Sequence, residues 1–301
     1  AAYSLGKLGY KEAAPKIIKL LNDKNASVRS FAAYAIGDLG YKEAAPEITE
    51  LLKDVDALVR RSAAYTIGKL GYKEAAPEII KLLKDSDKDV RVCAVDALGN
   101  IGYKKAAPEI AKLLKDKESY VRIHTADVIG KLGYKEAAPE ITELLKDVDA
   151  LVRGSAAYSL GKLGYKEAAP KIIKLLNDKN ASVRSFAAKA LGELGDKESV
   201  LEIMNLLKDN INTVRIYAVI ALGKLGSKEA VPEIVNLLKD EDSSVRGWAG
   251  VALVELGAKN KVPQEIISDI KGVLKLYKFD DEMAKRAQAA LKELGVEEDK
   301  K

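Results

Sequence analysis

The chain of 301 residues holds one cysteine, one histidine, one tryptophan and two methionines. Cys93 alone cannot form an intrachain disulfide, and its isolation fits a reducing, cytoplasmic setting. His124 alone leaves little room for histidine-based catalysis or a histidine metal centre. No apolar run approaches the ~20 residues that a spanning helix needs, so no membrane partner is expected. No secretory signal pattern opens the sequence, although it begins at Ala1 in mid-pattern. No strand signal appears, and no glycine-rich phosphate loop follows a strand. Gln, Met and Cys are few beside abundant Lys and Glu, the composition expected of a thermophilic source. Fifty Lys and Arg against forty-five Asp and Glu leave a net charge of only +5. That describes a mixed, solvated surface rather than a nucleic-acid polyelectrolyte.

Proline is also scarce, but its eight copies form a lattice of period 31: Pro15, Pro46, Pro77, Pro108, Pro139, Pro170, Pro232 and Pro263, with Leu201 at the skipped node. A fixed period of this size means stacked supersecondary units, an all-α solenoid here. One array is expected over 1–301, with a partial unit at 1–9 and eight regular units over 10–257. An atypical capping unit follows at 258–295, then a charged tail at 296–301. Residues 1–9 read as the end of a second helix without its first. Further repeats ahead of Ala1, or end-to-end self-association through this uncapped end, are therefore expected.

Residues 10–40 show how a unit is written. Ala13, Ala14, Ile17, Ile18, Leu20 and Leu21 mark a first helix, with Pro15 in its first turn, where a missing N–H is harmless. The first helix should end near Asn22. Asn25 reads as the N-cap of a second helix, and Asp56, Asp87, Glu118, Asp149, Asn180 and Asp242 share its column. Val28, Ala32, Ala35, Ile36 and Leu39 give the second helix its core stripe, and Gly40 stops it. Two charged columns recur at fixed spacing. Asp23, Asp54, Asp85, Asp116, Asp147, Asp178, Asp209 and Asp240 end first helices; Arg29, Arg60, Arg91, Arg122, Arg153, Arg184, Arg215 and Arg246 open second helices. Each Arg comes with its own Asp. The pattern predicts a hydrogen-bonded ion ladder between units rather than a basic stripe for phosphate.

The recurring pattern L-G-x-x-x-A-x-P-x-I-x-x-L-L-x-D-x-x-x-x-V-R-x-x-A-A-x-A-L-G resembles the short HEAT repeat, of the kind seen in phycobilisome-lyase-type HEAT proteins and in consensus-designed helical repeat proteins. The resemblance covers essentially all of 1–295. It implies a right-handed superhelix whose second helices line a concave face, and it makes the Asp and Arg columns ladder positions.

Comparison among the copies separates fixed from variable columns. Residues 1–33 recur unchanged at 156–188, and 39–60 recur at 132–153. Against that sameness, the columns of Ser27, Ser30, Phe31, Tyr34 and Asp38 vary, and four of them fall on one helical stripe beside the core stripe. Of the seventeen aromatic residues, six are turn tyrosines, from Tyr10 to Tyr165. Nine lie on the variable stripe: Tyr3, Phe31, Tyr34, Tyr65, Tyr120, Tyr158, Phe186, Tyr217 and Trp248. Tyr277 and Phe279 lie in the last unit, and no aromatic falls in a core column. Tyr and Trp suit interface anchors. The expected partner-binding face is therefore Phe31, Tyr34, Tyr65, Tyr120, His124, Tyr158, Phe186, Tyr217, Ile220, Trp248 and Val251. Its most apolar stretch, Ile216, Tyr217, Ile220, Trp248 and Val251, is the expected hot spot. The bland alternative is that these rings only cover one another along the stack.

Chemistry is expected to be absent: no catalytic residue, no metal and no cofactor. Cys93 and His124 share a column in adjacent units, with Asp96 and Asp127 one turn on. A repeat step of ~10 Å should hold such groups too far apart for an easy pair. Di-iron hydroxylases built on HEAT repeats need several His-Glu pairs, which this chain lacks, and a bilin-lyase-like activity would rest on fold analogy alone. A nucleic-acid groove needs cations on the stripe, but the columns of Phe31 and Tyr34 hold one, Lys189, against Asp96 and Asp127. The expectation is a non-enzymatic scaffold for a protein or peptide partner.

Overall fold

A computed structural model describes residues 6–275 and 282–296 of the protein. Tyr3, Tyr277 and Phe279 lie outside the described residues. In a repeat array contacts run mainly between neighbouring units, and here they gather the chain into two compact units, Ala1–Ile141 and Thr142–Lys301. Helices and turns make up the secondary structure of both, with no strand among the described residues.

The fixed columns explain each repeat. In the first, a 3-10 turn at Lys11–Ala13 leads into α1, Ala14–Lys19, which closes through a second 3-10 turn at Leu20–Asn22. The single first helix expected from sequence is thus broken at both ends, because so short a helix tightens its last turns to satisfy its terminal groups. Asp23 is extended, and Asn25 then caps α2, Ala26–Leu39, by accepting from the Ser27 N–H at 2.9 Å. Gly40 ends α2 at φ 63°, a left-handed conformation that suits a residue without Cβ.

The first unit continues with α3 (Ala45–Glu50), α4 (Ala57–Leu70), α5 (Ala76–Leu82), α6 (Lys88–Asn100), α7 (Ala107–Ala111) and α8 (Ser119–Leu132). Each short first helix packs on its own second helix, and α2, α4, α6 and α8 pack in succession. Ile17, Leu21, Ala32 and Ile36 are buried, as are their equivalents in later repeats. Close approach of second helices depends on one glycine column: a Cβ built on Gly68 would stand 2.8 Å from Ala97 Cα, inside any tolerated contact. The expected capping column holds except at Glu118, whose side chain makes no cap. Its N–H still donates to Asp116 at 2.9 Å, as the N–H of Asn25, Asp56 and Asp87 does to the ladder aspartate two residues before.

The division between the units falls within α9, Ala138–Glu143. The second unit has second helices α10 (Ala150–Leu163), α12 (Ala181–Leu194), α14 (Asn212–Leu225) and α16 (Ser243–Glu255). Between them lie first helices α11 (Ala169–Leu175), α13 (Val200–Asn205) and α15 (Val231–Asn236); α17 (Ile266–Leu274) and α18 (Glu282–Glu293) follow.

The ladder is present in both units, with a definite direction. Arg60 Nε and Nη2 donate to the two carboxylate oxygens of Asp85, in the next repeat, at 2.7 and 2.9 Å. Its Nη1 donates to the Asp54 carbonyl of its own repeat at 2.8 Å. The same fork joins Arg29 to Asp54 and Arg91 to Asp116 in the first unit. In the second it joins Arg153 to Asp178, Arg184 to Asp209 and Arg215 to Asp240. So each of these six guanidinium groups takes the carboxylate of the following repeat and a backbone carbonyl of its own. The last rung uses Asp269, which Arg246 meets at 2.7 Å through Nε. Sequence spacing misses it, because the lattice node is occupied by Lys271 and Asp269 stands two residues early.

The end of the second unit overturns part of the sequence expectation. Trp248 is 1% exposed, Ile220 3% and Val251 0%. α17 packs closely on α16: Cβ atoms on Gly247 and Gly250 would meet Asp269 O at 2.7 Å and Ile270 Cδ1 at 2.9 Å. From α18, Arg286 places its guanidinium 5.6 Å from the Trp248 ring centre and donates to the Ile220 carbonyl at 3.2 Å. Arg286 also grips Glu255 at 2.6 and 2.7 Å. Ile220, Trp248 and Val251 are therefore core, not an exposed hot spot, and the core is not purely aliphatic. The reason is local: this is where the final helices close over the last second helix, and sequence columns carry no record of that cover.

Candidate functional site

Outside the fixed columns, the second helices of each unit carry the variable residues. In the first unit, Phe31 on α2, Tyr65 on α4 and Tyr120 on α8 are 52, 45 and 52% exposed, large values for aromatic residues in a folded chain. Tyr34 and Tyr65 pack across adjacent helices with ring centres 5.3 Å apart and planes at 56°. Tyr120 meets His124, one turn along α8, edge-on at 4.4 Å. The structure thus brings Tyr34 to Tyr65 and Tyr120 to His124.

His124 also reaches back to α6, where its Nδ1 lies 2.8 Å from Asp96 Oδ1. The repeat step does not keep these groups apart, contrary to the sequence expectation, because the two side chains extend toward each other across it. The Asp96 hydrogen bond raises the His124 pKa against the opposing effect of burial, with further help from Asp96 and Asp127 charge. Burial, then the Asp96 charge, push the Cys93 thiol up to about 11. At neutral pH that thiol is protonated and a poor nucleophile. Arg61 approaches Asp89 at 3.7 Å. Among the described residues no three His, Cys, Asp or Glu side chains converge so as to hold a metal ion.

The single histidine makes this pair measurable. Because the folded-state pKa is raised, its stabilisation is complete below the unfolded value of about 6.5 and fades as pH rises through the higher folded value. In an NMR titration, the one imidazole should ionise above the ordinary histidine midpoint. Asp96→Asn should bring it back down. An unmoved midpoint in that variant would show that Asp96 does not hold the ring.

The second unit builds the face differently. Tyr158 on α10 packs against Phe186 on α12 at 6.0 Å, and Lys189 Nζ stands 4.6 Å from the Tyr158 ring centre and 5.6 Å from that of Tyr217. Lys162 adds a second ammonium 5.6 Å from Tyr158. These aromatics are half-buried and carry the chain's own cations. Sequence reading missed one contributor, Gly154. A Cβ there would meet Phe186 Cδ2 at 2.9 Å, so the glycine makes room for the ring. The signal was available: Gly154 replaces Arg61 immediately after a block the two copies share unchanged, and Phe186 stands where the other copy has Cys93.

No helix among the described residues is long and apolar enough to cross a membrane. A family model of HEAT repeats matches 1–66, 46–122, 107–181, 139–212, 169–254 and 200–268, together most of the chain. Among solved structures, an engineered protein is 22% identical with a TM-score of 0.52, over 98% of this chain and 94% of that one. The Escherichia coli protein YibA is 25% identical with a TM-score of 0.63, over 85% of this chain and 96% of its own. The complex of CpcE and CpcF of phycocyanin lyase from Nostoc sp. PCC7120 is 22% identical with a TM-score of 0.42, over 93% of this chain and 94% of that one. That last likeness is too distant to carry an argument about activity. Comparison with curated proteins finds no match. The family match and the first two likenesses support an all-α repeat fold.

Proposed function

The chain belongs to the HEAT-repeat family, and from that premise we propose that it is a non-enzymatic scaffold, binding a protein or peptide partner on the variable face of its second helices. One observation carries the reading: large aromatics are left exposed on columns that vary, while the columns that build the fold stay constant. Exposed Tyr and Phe on a rigid helical face offer large contact area at small entropic cost. The protonated Cys93 and the carboxylate-held His124 favour a surface role for both over covalent or acid–base chemistry.

Immobilised protein should capture a partner from extracts of its source, and Phe31→Ala with Tyr65→Ala and Tyr158→Ala should weaken that capture at least about tenfold, a loss of 1.4 kcal/mol or more. A matched variant on the opposite, first-helix side, Lys81→Ala with Lys112→Ala and Lys171→Ala, should leave it unchanged. Capture lost in the second variant and kept in the first would place the working surface elsewhere.

A further inference from the structure

The two units differ in how charge meets aromatic surface. Take the three innermost variable columns, those of Ser27, Phe31 and Tyr34. On α2, α4, α6 and α8 these columns hold Phe31, Tyr34, Tyr65, Tyr120 and His124 together with Asp89, Asp96 and Asp127, and no Lys or Arg. On α10, α12, α14 and α16 the same columns hold no carboxylate and one cation, Lys189.

Within the second unit that cation shows what such a surface does. Lys189 stands over two tyrosine rings, one on each neighbouring second helix. A ring face carries negative electrostatic potential, so an ammonium or guanidinium placed over it is attracted. The first unit has the rings and adds carboxylates, but supplies no such ammonium from these columns. The cations flanking them are engaged along the outer edge: Lys7 and Lys69 share Asp38 at 3.3 and 2.5 Å, and Lys131 donates to Asn100 at 2.9 Å. Arg61 is the nearest inner cation, and it is already held by a side-chain hydrogen bond with Tyr34 and by Asp89 at 3.7 Å, which leaves Tyr65 and Tyr120 without it. The Asp89 and Asp96 side chains remain 46 and 40% exposed. The negative charge at the centre is also felt by its neighbours, since Asp96 and Asp127 favour protonated His124 and Asp96 and Asp89 favour the neutral Cys93 thiol.

Resting on the scaffold reading above, we propose that the second-helix face of the first unit binds a basic peptide segment of a partner protein. Its Lys or Arg side chains stack on the exposed Tyr65 and Tyr120 rings and pair with the part-exposed carboxylates of Asp89 and Asp96. Charge complementarity fixes the class of partner. A nucleic acid has the wrong sign for this face, and an acidic peptide would set like charges together.

Fluorescence anisotropy of the full-length chain with a short labelled peptide of alternating Arg and Ser tests this. Its Glu-Ser counterpart and a Leu-Ser counterpart are measured beside it. The Arg peptide should bind, and its affinity should fall as salt is raised. Asp89→Asn with Asp96→Asn should weaken it about tenfold, Tyr65→Ala about fivefold, and Lys189→Ala on the second unit not at all. Unchanged far-UV circular dichroism shows that the variants fold. No binding of the Arg peptide overturns the proposal, as does equal affinity in the Asp89/Asp96 variant, or loss with Lys189→Ala. Should the Glu or Leu peptide bind instead, and Tyr65→Ala weaken it, the basic-segment proposal fails while the scaffold reading stands. If the aromatic-face variant keeps its partner capture, the scaffold reading fails whichever peptide binds.

Discussion

Trp248→Ala is expected to destabilise the protein by about 3–5 kcal/mol, the range for truncating a large aromatic in a packed core. The ring is 1% exposed. α17 lies so close to α16 that glycine is required at 247 and 250, which leaves the neighbouring backbone little freedom to collapse into the space vacated. Arg286 adds a second loss. Its guanidinium sits 5.6 Å from the ring centre while fixed to Glu255 and the Ile220 carbonyl, so removing the ring costs α18 part of its seat. Trp248→Phe should recover roughly half of the stability, because most of the buried volume returns. Urea unfolding followed by circular dichroism measures both variants. A loss under about 1 kcal/mol for Trp248→Ala would mean that the ring faces solvent, as the variable-column pattern alone suggested.

Asp85→Ala should cost about 3 kcal/mol. Asp85 receives two hydrogen bonds from Arg60, at 2.7 and 2.9 Å, and one from the Asp87 N–H at 2.9 Å. The side chains of Asp85 and Arg60 are only 8 and 15% exposed, so the variant leaves a guanidinium without its carboxylate in poorly hydrated surroundings. Arg60 and Asp85 belong to consecutive repeats, so the loss falls on the contact between repeats, from which a solenoid draws much of its stability. Reciprocal Arg60→Ala with Asp85→Ala should cost less than the sum of the single variants. Additive costs would contradict a coupled rung. The same rungs predict the acid response. Burial would raise the pKa of Asp54, Asp85, Asp178 and Asp209, but hydrogen bonds from arginine and from a backbone N–H outweigh it and the values are lowered. A lowered carboxylate contributes stability above its unfolded value of about 3.9 and loses it as pH falls through the lower folded value. Acid unfolding should therefore set in below about pH 4, and Asp85→Ala should reduce the steepness of that loss.

The fold was legible because a repeat prints its rules many times. Pro15 at the helix start, Asn25 at the N-cap and Gly40 at the left-handed stop each encode local backbone physics, and the structure places them so. The ladder partners were legible as columns, but the direction of pairing was not, since spacing alone cannot say which neighbour receives the fork. On the second-helix face, Phe31, Tyr65 and Tyr120 emerge as exposed and Tyr34, Tyr158, Phe186 and Tyr217 as half-buried. Trp248, Ile220 and Val251 were misplaced because exposure at a column depends on what lies above it, and here α17 packs on α16 while Arg286 of α18 reaches the Trp248 ring and the Ile220 carbonyl. The His124–Asp96 contact was missed for a related reason: a helix-to-helix step limits backbones, not side chains that reach across it.

The central claim is that the exposed aromatic face serves contact with a partner and not the fold. Thermal and urea unfolding of the triple variant Phe31→Ala, Tyr65→Ala and Tyr120→Ala tests it without needing the partner. A total loss of no more than about 2 kcal/mol is expected, allowing for the Tyr34–Tyr65 pair. A loss equal to that of Trp248→Ala would contradict it, because the rings would then be structural cover for the stack.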